Sequence, residues 1–171
     1  MPVIRGRSTA TAVTPERRAQ LRERLTRERS GPGTPEGPLI FEIPLEQSDQ
    51  VDVIVVWNEF QGVRVEDRDR VILDAYQDRR DQIAMAMGVT YQEAIDQHVL
   101  PYAVIPMAHR GEVDLADLRK AMLEEGGIAL DDGKVDLRFP TLAMAEAAHH
   151  RLCERLPQGY WSISQTVAPI P

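Results

Sequence analysis

The sequence predicts an α+β protein in which a mixed β-sheet carries helices packed on one face, behind a basic helical N-terminal arm. Two observations carry this prediction. Segments with period-two alternation of aliphatic side chains are interspersed with segments of helical periodicity. A linker rich in glycine and proline separates an arginine-rich first segment from the rest. With 171 residues, of which 43% are hydrophobic and 27% charged, the chain has the composition of a folded domain rather than a disordered one.

Two alternating runs at residues 39–45 and 51–57 predict the first strands. Aliphatic residues occupy every second position in both runs, with Glu42 and Asp52 on the opposite face. The polar loop EQSDQ joins the runs, so we expect a β-hairpin that buries Val53 and Val55.

Capping residues and periodicity predict the helices. Thr14-Pro15-Glu16 is a helix start, and this helix is expected to end near residue 28. Helical spacing from residue 65 to Met87 predicts one long helix with Gly88 at its C-terminal cap, with a possible break near residues 79–80. Thr90 and Glu93 form a capping box for a short helix that ends before Pro101.

The C-terminal third is predicted to contain further strands and two helices. A strand at residues 102–107 precedes a helix capped by Asp114. Two short strands flank a turn at residues 131–134, a final helix follows Thr141, and residues 160–167 form the last strand. The predicted element order after the arm is therefore ββααβαβαβ, in which only one of the two short strands is counted.

The domain prediction follows from these elements. Residues 1–37 form a basic arm and linker, an appendage with a thin apolar face, and residues 38–171 form a single α+β domain. Residues 111–171 add a helix and a β-α-β extension to residues 38–110, either in the first sheet or in a sheet of their own.

The net charge of −7 is unevenly distributed. Residues 1–30 carry eight arginines and three glutamates, which gives +5, so residues 31–171 carry −12. Two alternatives follow: the arm is a solvated tail, or it orders on an acidic partner, which could be RNA, DNA or the acidic body of a second copy. The candidate polyanion-binding or partner-binding residues are Arg17, Arg18, Arg22 and Arg24.

Cysteine usage and hydropathy bear on localisation. Cys153 is the only cysteine, so no disulfide forms within the chain, as in proteins of a reducing compartment. The longest apolar run, at residues 53–57, is far short of the ~20 residues of a membrane helix, and the N-terminus lacks the apolar run of a signal peptide. We expect a cytoplasmic protein that does not bind membranes.

One local motif stands between the second strand and the following helix: Phe60-Gln61-Gly62, then Arg68-Asp69-Arg70 after five residues. This stretch resembles the BolA family, in which a strand runs into Phe-Glu-Gly and an Arg-His-Arg triplet opens the helix. The resemblance covers about residues 39–107. It implies a core like a type II KH domain, with iron–sulfur handling, glutaredoxin partners and transcriptional regulation as family functions.

Two histidines of the family pattern are replaced here, by Asp69 in the triplet and by a residue near Tyr102 at the opening of the family's last strand. Without imidazole ligands an iron–sulfur role loses its chemistry, so no cofactor is predicted. The candidate binding residues are Trp57, Phe60, Gly62, Arg68, Arg70 and Tyr102.

His149 and Cys153 are the only metal-like pair. They are i,i+4 neighbours on a predicted helix, so both could reach one ion or form a thiol–imidazole pair. A tetrahedral site needs three or four protein ligands, and His98 and His109 are isolated, so the pair is a weak metal candidate.

These observations favour a non-enzymatic binding or adaptor protein that presents an acidic surface to a protein partner or to a second copy of itself. Two alternatives stay open. One is a metal- or thiol-dependent enzyme using His149 and Cys153, and the other is a nucleic-acid-binding regulator that acts through the arginine-rich arm.

Overall fold

The structure, a computed structural model, describes residues 12–31, 33–34, 36–107 and 113–166. It confirms the α+β class, with a helix at the N-terminal end of the described chain and with mixed sheets. The chain divides into two compact units, Met1–Glu93 and Ala94–Pro171, which we call unit 1 and unit 2.

Unit 1 contains two helices and a three-stranded sheet. The helices are α1 (Pro15–Ser30) and α2 (Val65–Ala75), and the strands are β1 (Leu39–Pro44), β2 (Val51–Val56) and β3 (Ile83–Val89). Short 3-10 helices span Asn58–Phe60 and Gln77–Gln82. Helix α3 (Tyr91–Asp96) spans the boundary between the units.

The predicted hairpin is confirmed. Strands β1 and β2 pair antiparallel from Leu39↔Val56 to Pro44↔Val51. Val53 and Val55 are fully buried, as predicted, but Ile54 and Val56 are buried too, so β2 is buried on both faces and not on one. Strand β3 adds parallel to β2, which gives the order β1-β2-β3. A parallel neighbour needs a crossover connection, and α2 provides it.

The predicted long helix from residue 65 to Met87 is wrong. Helix α2 ends at Ala75, and residues 83–89 form strand β3. Alanine and methionine are good helix formers, so Ile83-Ala-Met-Ala-Met fits a helical pattern locally. Pairing with the buried strand β2 overrides that preference, because the ladder and the sheet face are supplied by residues distant in sequence.

Helix α1 belongs to the core of unit 1 and not to an appendage outside it. Leu21 and Leu25 are buried against a cluster that also includes Trp57, Phe60 and Tyr76. The thin apolar face noted in the sequence is sufficient for this packing because both leucines are enclosed completely. Thr14 caps the helix through its side chain, as predicted, by accepting from the Arg17 backbone N–H.

Unit 2 contains α4 (Leu115–Glu124) and α5 (Leu142–Arg155) and five strands. The strands are β4 (Tyr102–Pro106), β5 (Ile128–Ala129), β6 (Val135–Asp136), β7 (Arg138–Phe139) and β8 (Trp161–Gln165). Asp114 caps α4, as the sequence predicted, and Thr141, which was predicted to precede the final helix, caps α5.

The strands of unit 2 form sheets of their own. Strand β4 lies between β7 and β8, antiparallel to both, and β5 pairs with β6 around the turn that contains Gly133. Residues 113–166 therefore do not extend the first sheet in the described part of the chain; β7 and β8 join β4, and β5 and β6 form a separate pair. The single strand predicted at residues 135–139 divides into β6 and β7. Val167, predicted to point inward, lies outside the described residues.

Candidate functional site

The arm's arginines bind carboxylates of unit 1. Arg17 and Arg24 both reach Glu59, Arg24 at 3.2 Å. The hydrogen bond from Arg17 holds the pKa of Glu59 below its ordinary value, against the opposing effect of burial. Arg24 also lies over the Trp57 ring, 5.3 Å from its centroid.

A second ion pair between the arm and unit 1 is more deeply buried. The Arg18 guanidinium donates to the Asp67 carboxylate at 2.8 Å, and the Val13 backbone N–H donates to its other oxygen at 3.2 Å. Only 8% of Asp67 is exposed. A buried carboxylate needs such partners, because an isolated charge away from water is strongly unfavourable. Arg18 therefore compensates a charge inside unit 1.

Arg29 completes the contact between α1 and the rest of unit 1, which we call the arm interface. It donates to Asp78 at 2.8 Å and stacks on the Tyr76 ring at 4.5 Å. The Tyr76 hydroxyl in turn donates to Glu42, which also pairs with Arg79. Burial and the neighbouring Glu42 raise the pKa of Tyr76, so the phenol stays protonated.

The arm interface engages most of the predicted polyanion-binding residues. Arg17, Arg18 and Arg24 each hold a carboxylate of the same chain. The Arg22 side chain is exposed and forms its ion pair with Glu23 of its own helix, at 3.8 Å. In the described part of the arm, helix α1 is therefore not a solvated tail: it is ordered on its own unit.

The motif at residues 60–62 forms a turn after β2. Gly62 adopts a φ of 73°, a conformation that favours glycine. Phe60 is buried and packs edge-on against Trp57, with ring centroids 5.4 Å apart. Both aromatic rings belong to the core cluster of unit 1, so neither presents a binding surface of its own.

Arg68 forms a buried clasp between α2, β3 and α3. Its guanidinium donates to the Val63 carbonyl at 2.8 Å, to the Gly88 carbonyl at 3.2 Å and, in a bidentate arrangement, to Glu93. The hydrogen bonds from Arg68 hold the pKa of Glu93 below its ordinary value. Arg70, two residues on, is exposed.

Asp69 adds to this clasp. Its carboxylate accepts a long hydrogen bond, 3.4 Å, from the Gly88 backbone N–H, and burial raises its pKa. Side chains of α2 thus bond both polar groups of Gly88 at the outer edge of β3. Arg68 and Asp69, two members of the triplet, therefore stabilise a strand edge in this structure, and Tyr102 of the predicted binding set belongs to unit 2.

His149 and Cys153 lie on α5 as predicted, but the imidazole has another partner. His149 Nε2 lies 3.2 Å from the Trp161 carbonyl oxygen, which can only accept, so Nε2 carries the proton. The Cys153 sulfur lies 3.9 Å from either ring nitrogen. Among the described residues no three His, Cys, Asp or Glu side chains are placed to hold a metal ion. His109 lies outside the described residues.

An open cleft of about 390 Å³ lies beside the arm interface, between α1 and the end of α2. Its polar walls include Arg29 and Asp78, which pair with each other across it, and Asp74, which contacts Arg80 at 3.6 Å. The charged groups of the walls are thus matched within the chain.

The surface that sequence reasoning missed is one face of the β7-β4-β8 sheet. Residues on alternate positions of β4 and beyond its end share a face with their antiparallel neighbours. Ile105, Met107 and Tyr160 lie together there and are 41%, 48% and 68% exposed, whereas Val104 and Trp161 on the opposite face are buried. We call this surface the outer face.

The outer face had a signal in the sequence. Residues 102–107 are all apolar apart from Pro106, which suits a strand buried on both sides. Among the described residues of unit 2, α5 packs against β4, whereas Ile105 and Met107 of the run are exposed.

The comparisons with known proteins give no relatives: no family model, no curated protein and no solved structure matches this chain. Within the described ranges, none of the helices has the length and apolar character needed to span a membrane.

Proposed function

We propose that this chain is a non-enzymatic binding protein, an adaptor, which holds a protein partner on the outer face of unit 2. The observation that carries the proposal is the exposure of Ile105, Met107 and Tyr160 side by side on one sheet face. Tyrosine and methionine are enriched at protein interfaces, and clustered apolar exposure marks such surfaces more often than scattered exposure does.

The chemistry of the face favours a protein over a small ligand. A sheet face is flat, whereas small-molecule sites are concave and enclose most of the ligand. Three neighbouring apolar side chains with Ser162 among them can bury area against another flat or convex surface. The Ser162 hydroxyl already donates to the Met107 sulfur at 3.2 Å, which fixes the thioether on the face.

The arm interface favours this surface over an acidic one. Glu59, Asp67 and Asp78 are neutralised by arginines of α1, so part of the body's negative charge is compensated within the chain. Electrostatic attraction of a basic partner is weakened accordingly. The apolar outer face is therefore the surface that is better suited to bind a protein partner.

The test is a binding assay with matched variants. Ile105→Thr/Tyr160→Ser removes two apolar side chains from the outer face, and threonine keeps the strand propensity of position 105. Leu115→Gln, on α4 and 78% exposed, is the control. Wild type and the control should capture the same protein from extract of the native host, and the double variant should lose it while keeping the wild-type melting temperature. Equal capture by all three, or no capture by wild type above empty resin, overturns the proposal.

Nucleic-acid binding through the arm is the second candidate. It requires Arg17, Arg18 and Arg24 to exchange their carboxylates for phosphates. Glu59→Gln frees two of these guanidinium groups, so it should raise affinity for single-stranded DNA or heparin if the arm binds polyanions. Affinity that is unmeasurable in both wild type and variant at 50 mM salt excludes this function.

The remaining expectations are also proposals. A BolA-like role would be supported by binding of a purified glutaredoxin, and an enzyme or metal role by stoichiometric metal that is lost on His149→Ala. A cytoplasmic setting suits Cys153 as the single cysteine, which needs no oxidising compartment.

A further inference from the structure

Strand β8 is an edge strand. It pairs with β4 without a register break, from Tyr102↔Gln165 to Pro106↔Trp161. Within residues 94–107 and 113–166, no strand pairs with the opposite side of β8. An edge strand presents unpaired backbone N–H and C=O groups that can pair with another chain.

The hydrogen bonds of β8 identify which residues face outward. The Met107 N–H donates to the Tyr160 carbonyl and the Thr166 N–H donates to the Pro101 carbonyl. Backbone direction alternates along an antiparallel strand, so even-numbered residues turn toward β4. Trp161, Ile163 and Gln165 therefore direct their backbone groups to the free edge. The contact of His149 with the Trp161 carbonyl agrees with this direction.

The other strand edges carry more protection than β8, on which His149 bonds the Trp161 carbonyl. Strand β1 contains Glu42 and Pro44, and β7 is two residues long with Arg138 held by Asp136. Arg68 and Asp69 bond the edge of β3 at Gly88. Charge, proline, shortness and cover are the usual means by which proteins prevent edge pairing.

Strand β8 has no charge and no proline in its sequence Trp-Ser-Ile-Ser-Gln. The uncharged segment extends from residue 156 to residue 171, although 27% of the whole chain is charged. We therefore expect the edge of β8 to pair with a strand of another chain.

We propose that β8 pairs antiparallel with β8 of a second copy, around a twofold axis at Ile163. The strand is nearly palindromic, so this register matches like with like: Ile163 faces Ile163 of the second copy, and Ser162 faces Ser164. Trp161 then faces Gln165. β-Branched and hydroxyl cross-strand pairs of this kind stabilise sheets.

The distribution of charge explains why a second copy would bind at β8 and not elsewhere on the surface. Each chain carries −7, so two copies repel over most of their surfaces. The uncharged segment is where they can approach without placing like charges together. Pairing would join two β7-β4-β8 sheets into one of six strands, with a self-complementary twofold interface.

The first experiment measures self-association by sedimentation with a charge-matched pair of variants. Ser164→Glu places a carboxylate on the exposed edge, and Gln97→Glu places the same charge on an exposed turn of unit 2. Wild type and Gln97→Glu should dimerise alike, and Ser164→Glu should raise the dissociation constant about tenfold or more. A monomeric wild type at every concentration, or equal dimerisation by both variants, overturns the proposal.

The second experiment tests the register. In a Cys153→Ser background, Ser162→Cys/Ser164→Cys brings cysteines of the two copies into non-hydrogen-bonded pairs with Cα atoms ~4.5 Å apart, within disulfide range. Oxidation should give a covalent dimer. Ser164→Cys alone should not, because position 164 faces position 162. Equal cross-linking by the single variant overturns the register.

This proposal is independent of the partner bound on the outer face. A monomer that loses capture of another protein on Ser164→Glu but keeps it on Ile105→Thr/Tyr160→Ser would show that β8 binds a foreign strand, and self-pairing would be excluded. A dimer that captures nothing would exclude the adaptor role and leave self-pairing intact.

Discussion

Gly88 and Arg68 are in direct contact in unit 1, where the Arg68 guanidinium donates to the Gly88 carbonyl. A Cβ at position 88 would lie 2.7 Å from the Arg68 Cβ and 3.0 Å from a Phe60 ring carbon. Neither neighbour can move freely, because Arg68 is held by three carbonyl or carboxylate partners and Phe60 is fully buried. Space, rather than backbone conformation, requires glycine here.

Gly88→Ala should therefore destabilise the protein by about 1–3 kcal/mol, the usual range for overpacking a core. The control is Ala84→Val, an exposed position of the same strand, which should change stability by less than about 0.5 kcal/mol. Urea denaturation measures both. Equal midpoints for the two variants would contradict the steric argument.

Arg68→Lys and Arg70→Lys make a matched pair within one motif. Lysine cannot reproduce the bidentate contact with Glu93 or reach the same carbonyls, so Arg68→Lys should cost about 2 kcal/mol. Arg70 is exposed, and its replacement should be nearly neutral. If thermal unfolding separates the two variants by less than 1 °C, the clasp contributes little to stability.

At this scale the sequence indicated which residues matter but not what they touch. The motif drew attention to Phe60, Gly62 and Arg68, and all three are structurally constrained. Their partners Gly88 and Glu93 lie at least twenty residues away from Arg68, and they meet it because β3 folds parallel to β2. No local pattern encodes that contact.

At the level of elements, both apolar and ionic contacts hold helix α1 against the rest of unit 1, and the two kinds of contact contribute unequally. Leu21 and Leu25 are at most 2% exposed, whereas the pairs of Arg17 and Arg24 with Glu59 are 37–44% exposed on both sides. Exposed ion pairs contribute about 0–1 kcal/mol each, and a buried leucine contributes several times more. The leucines should dominate.

Leu25→Ala is accordingly expected to destabilise unit 1 by about 2–5 kcal/mol, and Glu59→Gln by less than about 1 kcal/mol. Only the second loss should shrink in 1 M salt, because screening affects exposed charges and not apolar burial. Denaturant titrations at two salt concentrations check this. A larger loss for Glu59→Gln would mean that ionic contacts hold the helix.

The elements that sequence reasoning identified are those with local signals. Thr14 and Asp114 cap helices where predicted, α5 follows Thr141, and the β1–β2 hairpin follows from alternation around its loop. Strand β3 was assigned to a helix because its composition suits one and its partner strand is remote. The division of the strands into separate sheets likewise depends on pairing that the local sequence does not specify.

Across the whole molecule, internal ion pairs give stability a defined pH dependence. Glu42, Glu59 and Glu93 all have lowered pKa values: Arg17 is the largest influence at Glu59 and Arg68 at Glu93. At Glu42 burial opposes ionisation, and the hydrogen bonds from Tyr76 and Arg79 overcome it. Asp69 acts in the opposite sense, because burial raises its pKa.

A carboxylate with a lowered folded-state pKa stabilises the fold above its ordinary value of 4.5, and the stabilisation is lost as the pH falls through the folded value. The melting temperature should thus decline from pH 6 to pH 3. Glu93→Gln should start lower at pH 6 and decline less steeply. An unchanged slope in this variant would show that the Arg68 clasp does not contribute to the acid sensitivity.

Because α1 is packed into the core of unit 1, deletion of the N-terminal segment does not test the function of that segment alone. A chain shortened to begin after residue 30 would leave the Asp67 carboxylate without its cation and uncover the side of Trp57, Phe60 and Tyr76 that the two leucines shield. Any activity missing from such a fragment would then report damage to the remaining domain instead of the absence of a ligand-binding tail. Charge reversal at Arg22 and Arg27, which project into solvent, would change the electrostatics while leaving the fold intact.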